Sequence, residues 1–354
     1  MTIPPAMFGV QLVAHGGPEA LVWNDAIPTP MPGPGEVLTR VLAAGVNNTD
    51  VNTRIGWYNA EVTGATDEGG AEEAGGWSGA LNFPLIQGGD LCGEVVAVGE
   101  GVDLIDIGAR VTCPLNQAIP TADAPTRFQA LGSELDGAFA EYCRIPADQV
   151  FTVDASPLSD VEIAAMPGAY GTAINLVTRS GVKAGERVLA TGASGGVGLA
   201  AVQLATYRGA NVTAVTSPAK ADAVREAGAQ AIIWRDEAPA AAAFDAVIDI
   251  VGGPAFGGLL TALKPGGRYA VSGAIAGPIV EADLRIIYLN DITIFGCTYT
   301  PKEVFADLVE IMRTGAIRPV IAATYLLRDI AEAQAEFMKK TAAGKIVLIP
   351  GARD

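Results

Sequence analysis

The 354-residue sequence predicts an α/β protein: a doubly wound parallel sheet joined to a second, β-rich unit. Three observations predict it. From Ala164 to about Gly296, short apolar runs alternate with alanine- and leucine-rich segments, the pattern of a parallel sheet with helical crossovers. Within that region Arg187–Ala205 reads as a buried strand, a glycine-packed turn and a helix. Upstream, β-prone segments are interrupted by Gly and Pro, which suits an irregular β domain.

Taken in chain order, the β-prone segments of the first half are Phe8–Leu12, Glu36–Val46, Gly93–Val98, Arg110–Cys113 and Ala138–Ile145. Between them Asn59–Asn82 is rich in Gly, Ala and Glu and has little to bury, so it is expected as a surface loop. Two readings of it stand: a lid bracketed by Trp57, Tyr58 and Trp77, or a solvated insertion without a role. The second half offers strands at Val188–Thr191, Val212–Thr216, Ala231–Trp234, Ala246–Ile250, Arg268–Ser272 and Thr293–Gly296. Helices are expected at Leu199–Arg208, Ala219–Ala227 and Gly257–Leu263, with Lys264–Gly267 punctuating a crossover. Six such strands predict the order 3-2-1-4-5-6. The tail carries helices at Val304–Arg313 and Ile330–Lys339 and a strand at Lys345–Ile349, and is expected to fold back onto the first unit.

The turn Gly192-Ala193-Ser194-Gly195-Gly196-Val197-Gly198 follows a strand and opens a helix. Glycines there let backbone approach a phosphate, and the helix start offers free N–H groups and a partial positive charge. A plain strand–turn–helix without ligand is the bland alternative. The same residues also satisfy Gly-x-Ser-x-Gly, the nucleophile elbow of hydrolases, which needs a histidine after the serine. The chain's one histidine is His15, far upstream, so the hydrolase reading fails.

A net charge of −16 argues against nucleic acid, whose binding rests on phosphate neutralisation by Lys and Arg. No apolar run is long enough to span a bilayer and no signal peptide is evident, so a cytoplasmic protein is expected. Cys92, Cys113, Cys143 and Cys297 lack the paired spacing of a disulfide framework or a zinc knuckle.

With these landmarks in hand, the chain resembles the medium-chain dehydrogenase/reductase superfamily, within it the zinc-free quinone oxidoreductase (zeta-crystallin-like) branch. The residues that carry the resemblance are Gly45-Val-Asn47-Asn-Thr-Asp50, Gly89–Gly99, Gly137–Tyr142, Gly171-Thr172-Ala173, the turn at 192–198 and Gly344–Pro350. The resemblance implies a Rossmann dinucleotide-binding domain over 168–300 and a GroES-like substrate domain over 1–167 and 301–354. Zinc-dependent relatives carry a cysteine where this chain has Asn47 and a His-Glu pair where it has Gly89-Asp90. Catalytic zinc needs about three converging N, S or O ligands, so no metal is expected.

After the second strand an NAD-specific enzyme places a carboxylate. Here Thr216-Ser217-Pro-Ala-Lys220 stands instead, with Ser217 and Lys220 able to serve a 2′-phosphate, which favours NADPH. The alternative for Lys220 is a solvated helix residue. Trp234 takes the place of the aromatic that covers adenine in relatives, with Arg235 beside it. Asn47 is implied to contact the nicotinamide ribose or amide. Thr172, Gly252, Ser272-Gly273-Ala274 and Gly296-Cys297 are implied to line the nicotinamide crevice, and Lys345 to lie near the phosphate or cleft. Asp50 and Asp90 are expected to hold local backbone.

Without a Lewis acid, hydride transfer to a conjugated acceptor is the least demanding chemistry, because charge develops on a distal oxygen that one or two donors stabilise. The resemblance implies Tyr58, in Gly56-Trp57-Tyr58, as the candidate donor, since enoyl reductase relatives carry a tyrosine shortly beyond the Asn/Asp landmark, with Asn47 as the second catalytic residue. The alternative for Tyr58 is a ring packed under the inserted loop. The sequence therefore points to an NADPH-dependent reductase of quinones or α,β-unsaturated carbonyls acting on a small molecule, and the resemblance implies a homodimer joined through the last strand of the cofactor domain, with which the β-prone Ile292–Phe295 is compatible. An enoyl-thioester reductase, a crystallin-like NADPH-binding protein without turnover, and a zinc alcohol dehydrogenase are the alternatives.

Overall fold

The computed structural model describes residues 2–68, 70 and 81–351. Trp77 therefore lies outside the described residues. The β-rich unit begins with β1 (Ala6–Leu12), β2 (Leu21–Pro28), β3 (Glu36–Gly45) and helix α1 (Asn48–Ile55). It continues through β4 (Leu85–Ile86), β5 (Cys92–Val98), β6 (Arg110–Thr112), β7 (Asn116–Ala118), β8 (Phe128–Ala130), β9 (Tyr142–Pro146) and β10 (Phe151–Thr152). Helices α2 (Asp160–Ala164) and α3 (Pro167–Arg179) carry the chain across to the second unit.

There β11 (Arg187–Ala190), α4 (Gly196–Tyr207), β12 (Asn211–Thr216), α5 (Ala221–Glu226) and β13 (Ala231–Trp234) form the first half of the sheet and its crossovers. The second half is β14 (Phe244–Asp249), α6 (Phe256–Thr261), β15 (Leu263–Val271), α7 (Leu284–Leu289) and β16 (Thr293–Gly296). All pairings are parallel, in the order β13-β12-β11-β14-β15-β16, the 3-2-1-4-5-6 arrangement expected from the sequence. Its central strands β11 and β14 are buried along most of their length, which is why they read as apolar runs, whereas the outer strands β13 and β16 are largely exposed or half-buried. Lys264–Gly267 does not break the crossover as expected. It sits inside β15, whose register against β14 shifts between Phe244 and Ala246 to absorb it.

The tail comprises α8 (Lys302–Thr314), β17 (Ile321–Leu326), α9 (Ile330–Lys339) and β18 (Lys345–Ile349). β18 pairs antiparallel with β3 through Val347–Gly45 and Leu348–Ala44, and parallel with β17. The sequence reading assigns everything from 301 to the β-rich unit, and α8 departs from that. Its apolar face, Val304, Phe305, Leu308, Val309 and Met312, packs in one cluster with α3 and α4. A second cluster, built on β1, β3, β5 and β9 with Ile346 and Leu348, forms the core of the β-rich unit. Ala138–Glu141 is irregular rather than strand; Phe139 N–H and Ala138 N–H bond Gln87 and Gly88 carbonyls instead.

Candidate active site

The glycine turn sits at the carboxyl end of the central strand β11, where strand order reverses toward β14. α4 starts at Gly196 with no side-chain cap on its first N–H groups. A Cβ on Gly198 would come within 2.1 Å of the Gly192 carbonyl, so only glycine lets the helix seat against the strand end. A Cβ on Gly195 would meet nothing closer than that carbonyl at 3.6 Å, leaving room on the outer side for a phosphate. Ala193 is fully buried and its N–H bonds the Val215 carbonyl, so it packs the turn and has no donor to offer; Ser194 is nearly as buried. Val197 is half-buried at the helix start.

A residue the sequence reading missed ties the crevice together. Asp249, fully buried at the end of β14, accepts hydrogen bonds from Thr191 Oγ1 (2.5 Å), Val251 N (2.9 Å), Gly252 N (3.2 Å) and the Tyr269 hydroxyl. One carboxylate thus holds both lips of the switch point. Ser272 N reaches back to the Asp249 carbonyl, placing Ser272, Gly273 and Ala274 on the same rim. Cys297 is buried with its thiol toward the Phe295 carbonyl, and burial pushes its pKa up to about 11. Gly296 beside it faces open space.

At the far end of the crevice Thr216 and Trp234 are neighbours in register on β12 and β13. The Thr216 hydroxyl is buried without a partner among the described residues. Ser217 follows half-buried, and Lys220 donates its ammonium to the Lys340 carbonyl. Burial and the nearby charges of Arg235 and Lys340 depress the Lys220 pKa. Three cations therefore converge in a chain of net charge −16. Lys340 was not legible in the sequence: it lies after α9 in a left-handed conformation, φ 51°, and only the tertiary fold brings it there.

At the end where the sequence reading expects the nicotinamide, α1 opens with a capping box in which Asp50 Oδ2 accepts the Asn47 N–H at 2.7 Å. Lys345, at the start of β18, donates to Val46 O (2.8 Å), Asn47 Oδ1 (2.6 Å) and Asp90 Oδ2 (2.9 Å). Its ammonium is thus committed to this cluster rather than turned to a phosphate, although its alkyl chain lies against Gly196, where a Cβ would stand 2.8 Å from Lys345 Cδ. Asp90 Oδ1 accepts Gly168 N at 2.5 Å. Gly168, Gly171 and Thr172 line a cavity with Leu115, Asn116 and Thr300.

Tyr58 hydrogen-bonds Asn52, whose Oδ1 accepts Asn48 Nδ2, and burial holds the phenol pKa well above its ordinary value. Trp57 stacks edge-on against Tyr58, with ring centroids 5.6 Å apart, and bonds the Gly64 carbonyl. The start of the acidic insertion crosses to the second unit, Thr66 N bonding the Ile275 carbonyl at 3.3 Å. That contact favours a cover over the crevice above a detached loop.

The donor set does not fit a metal ion. Both Asp90 oxygens are engaged, and no three His, Cys, Asp or Glu side chains group to hold one among the described residues. The uncapped start of α4, the clearance at Gly195 and the cation cluster fit a phosphorylated dinucleotide.

Residues 33–155 match the alcohol dehydrogenase GroES-like domain family, and residues 196–314 the zinc-binding dehydrogenase family. Over 94% of its length the chain is 30% identical to acryloyl-coenzyme A reductase of Sulfurisphaera tokodaii, covering 98% of that protein. It is 28% identical to human quinone oxidoreductase, covering 97% and 98% of the two chains. A solved structure from Sinorhizobium meliloti 1021, described provisionally as an alcohol dehydrogenase, superposes with a TM-score of 0.89 at 40% identity, covering 99% and 98%.

Proposed function

The chain belongs to the medium-chain dehydrogenase/reductase superfamily and is a nicotinamide-dependent oxidoreductase, and from that premise we propose that it reduces quinones or α,β-unsaturated carbonyls with NADPH and without zinc. The observation that carries this reading is the Lys345–Asp90–Asn47 cluster. It takes up the side chains standing where zinc ligands lie in metal-dependent relatives, so an isolated ketone or alcohol would find no Lewis acid. The convergence of Lys220, Arg235 and Lys340 supports the 2′-phosphorylated cofactor.

Bound NADPH supplies the hydride. The chain's part is to place the acceptor and stabilise the oxygen on which charge develops. Tyr58 is suited to that task, because burial keeps its phenol protonated and able to donate to the enolate oxygen or return a proton. Asn47 offers a second donor. Ser217 and the three cations hold the adenosine end, and α4 the pyrophosphate.

A narrower reading is an enoyl-thioester reductase, favoured by the similarity to acryloyl-coenzyme A reductase. We place the enzyme in the cytoplasm; among the described residues no helix is long and apolar enough to cross a membrane. We assign it as a homodimer through β16, the outer strand of the parallel sheet, beside which Ile294, Leu284, Tyr288 and Leu289 are exposed.

The test is NADPH consumption with naphthoquinones, simple enones and crotonyl-CoA. Turnover of at least one class is expected, with NADPH preferred over NADH about tenfold or more and that preference shrinking in Lys340→Ala. Tyr58→Phe should lower kcat by about 10²-fold with little change in KM. Inactivity toward every acceptor, or zinc-dependent alcohol oxidation, would sink the assignment.

A further inference from the structure

The Lys345 ammonium is buried and donates to three oxygens at once. An ammonium carries donors and no acceptor, so the Asn47 atom that faces it must be the carboxamide oxygen. The Asn47 NH2 is therefore turned the other way. There Nδ2 is buried and has no partner among the described residues. The carboxamide lies beside Gly168, where a Cβ would stand 3.0 Å from Oδ1 and 3.1 Å from Nδ2, and Gly168 lines the cavity with Asn116, Thr172 and Thr300. A buried amide donor left unmatched has given up its water without gaining a partner, an unfavourable state that a ligand oxygen would relieve. Asp90 fixes the ammonium in turn, gripping Lys345 with one oxygen and Gly168 N with the other.

We propose that Lys345 is a positioning residue: by holding Asn47 Oδ1 it makes Asn47 an obligate hydrogen-bond donor to an oxygen at the nicotinamide end of the bound dinucleotide. A carboxamide free to rotate would present either its oxygen or its nitrogen. Locked by Lys345, it presents nitrogen alone and selects a carbonyl or hydroxyl oxygen. Lys345 itself touches no reactant in this scheme. The inference rests on the NADPH reading and adds to it the origin of the amide's orientation.

Two ligands separate a positioning role from a structural one. NADPH reaches both ends of the crevice, whereas adenosine 2′,5′-bisphosphate occupies only the phosphate-bearing adenosine end. Each is titrated by quenching of tryptophan fluorescence, with thermal melting followed alongside. Asn47→Asp keeps an oxygen toward Lys345 and replaces the donor by an acceptor; Lys345→Met removes the ammonium from Oδ1 and leaves the carboxamide only the capping box of α1. Both variants should lose about tenfold or more in NADPH affinity while binding the bisphosphate within about twofold of the parent. Lys345→Arg, which retains donors, should keep NADPH affinity within about threefold.

Equal loss toward both ligands overturns the proposal, as does unchanged NADPH binding by Asn47→Asp. Where Lys345→Met fails to fold, Asn47→Asp and Lys345→Arg decide the matter. Parent protein that binds neither ligand removes the NADPH reading, and the proposal with it.

Discussion

Asp50 shows how much one buried carboxyl can disclose. Desolvation raises its pKa to about 7, opposed by the Asn47 N–H, reinforced by the Asp90 charge and partly offset by Lys345. The folded protein thus keeps a proton that the unfolded chain, with a value near 3.8, has already released. Stability from this group is fully present below pH 3.8 and declines as pH rises toward 7. Asp50→Asn preserves an oxygen for the Asn47 N–H and abolishes the titration. Its melting temperature relative to the parent should therefore climb by about 2–4 °C between pH 5 and pH 8. A difference that stays flat would show the carboxyl to be charged throughout. At this scale local motifs mark Asn47, Tyr58, Ser217 and Lys220 as candidates in the sequence. Lys340 and Asp249 were hidden, since their partners lie 120 and 58 residues away in the chain.

Among elements, the strand–turn–helix at β11 and α4 is the most tightly specified. Gly198→Ala drives a methyl into the Gly192 carbonyl and should cost about 3 kcal/mol, read as a fall in melting temperature. Gly195→Ala, with space at its Cβ, should stay within about 0.5 kcal/mol of the parent. Comparable losses for the two variants would show that the helix does not depend on this close approach. The central strands β11 and β14 were readable because burial on both faces makes them largely apolar, and the outer strands because short β-prone runs alternate with helical segments. β17 was not, since its residues are only partly buried and Ile321–Leu326 shows no clean alternation. β7 and β8, three residues each, fall below the length at which periodicity carries information.

Across the whole molecule, the six-strand order builds the parallel unit, and the return of the chain's end to β3 completes the β-rich one. The fold class and strand order were legible in the sequence; the allegiance of α8 was not, because an amphipathic helix announces a buried face without naming its partner. The assembly through β16 makes its own prediction. Sedimentation should give twice the monomer mass for the parent, and Ile294→Arg combined with Leu289→Asp should yield monomers that remain folded. A parent that sediments as a monomer would leave that strand edge without its assigned role.

The backbone passes between the units twice, once ahead of α3 and again between α8 and β17. Two tethers act like the paired pins of a door. Swinging about the line that joins them is soft, while sliding or twisting across it strains both connections. Any movement of one unit against the other is thereby expected to follow a single arc, and it would shift Lys345, whose alkyl chain lies against Gly196 at the start of α4.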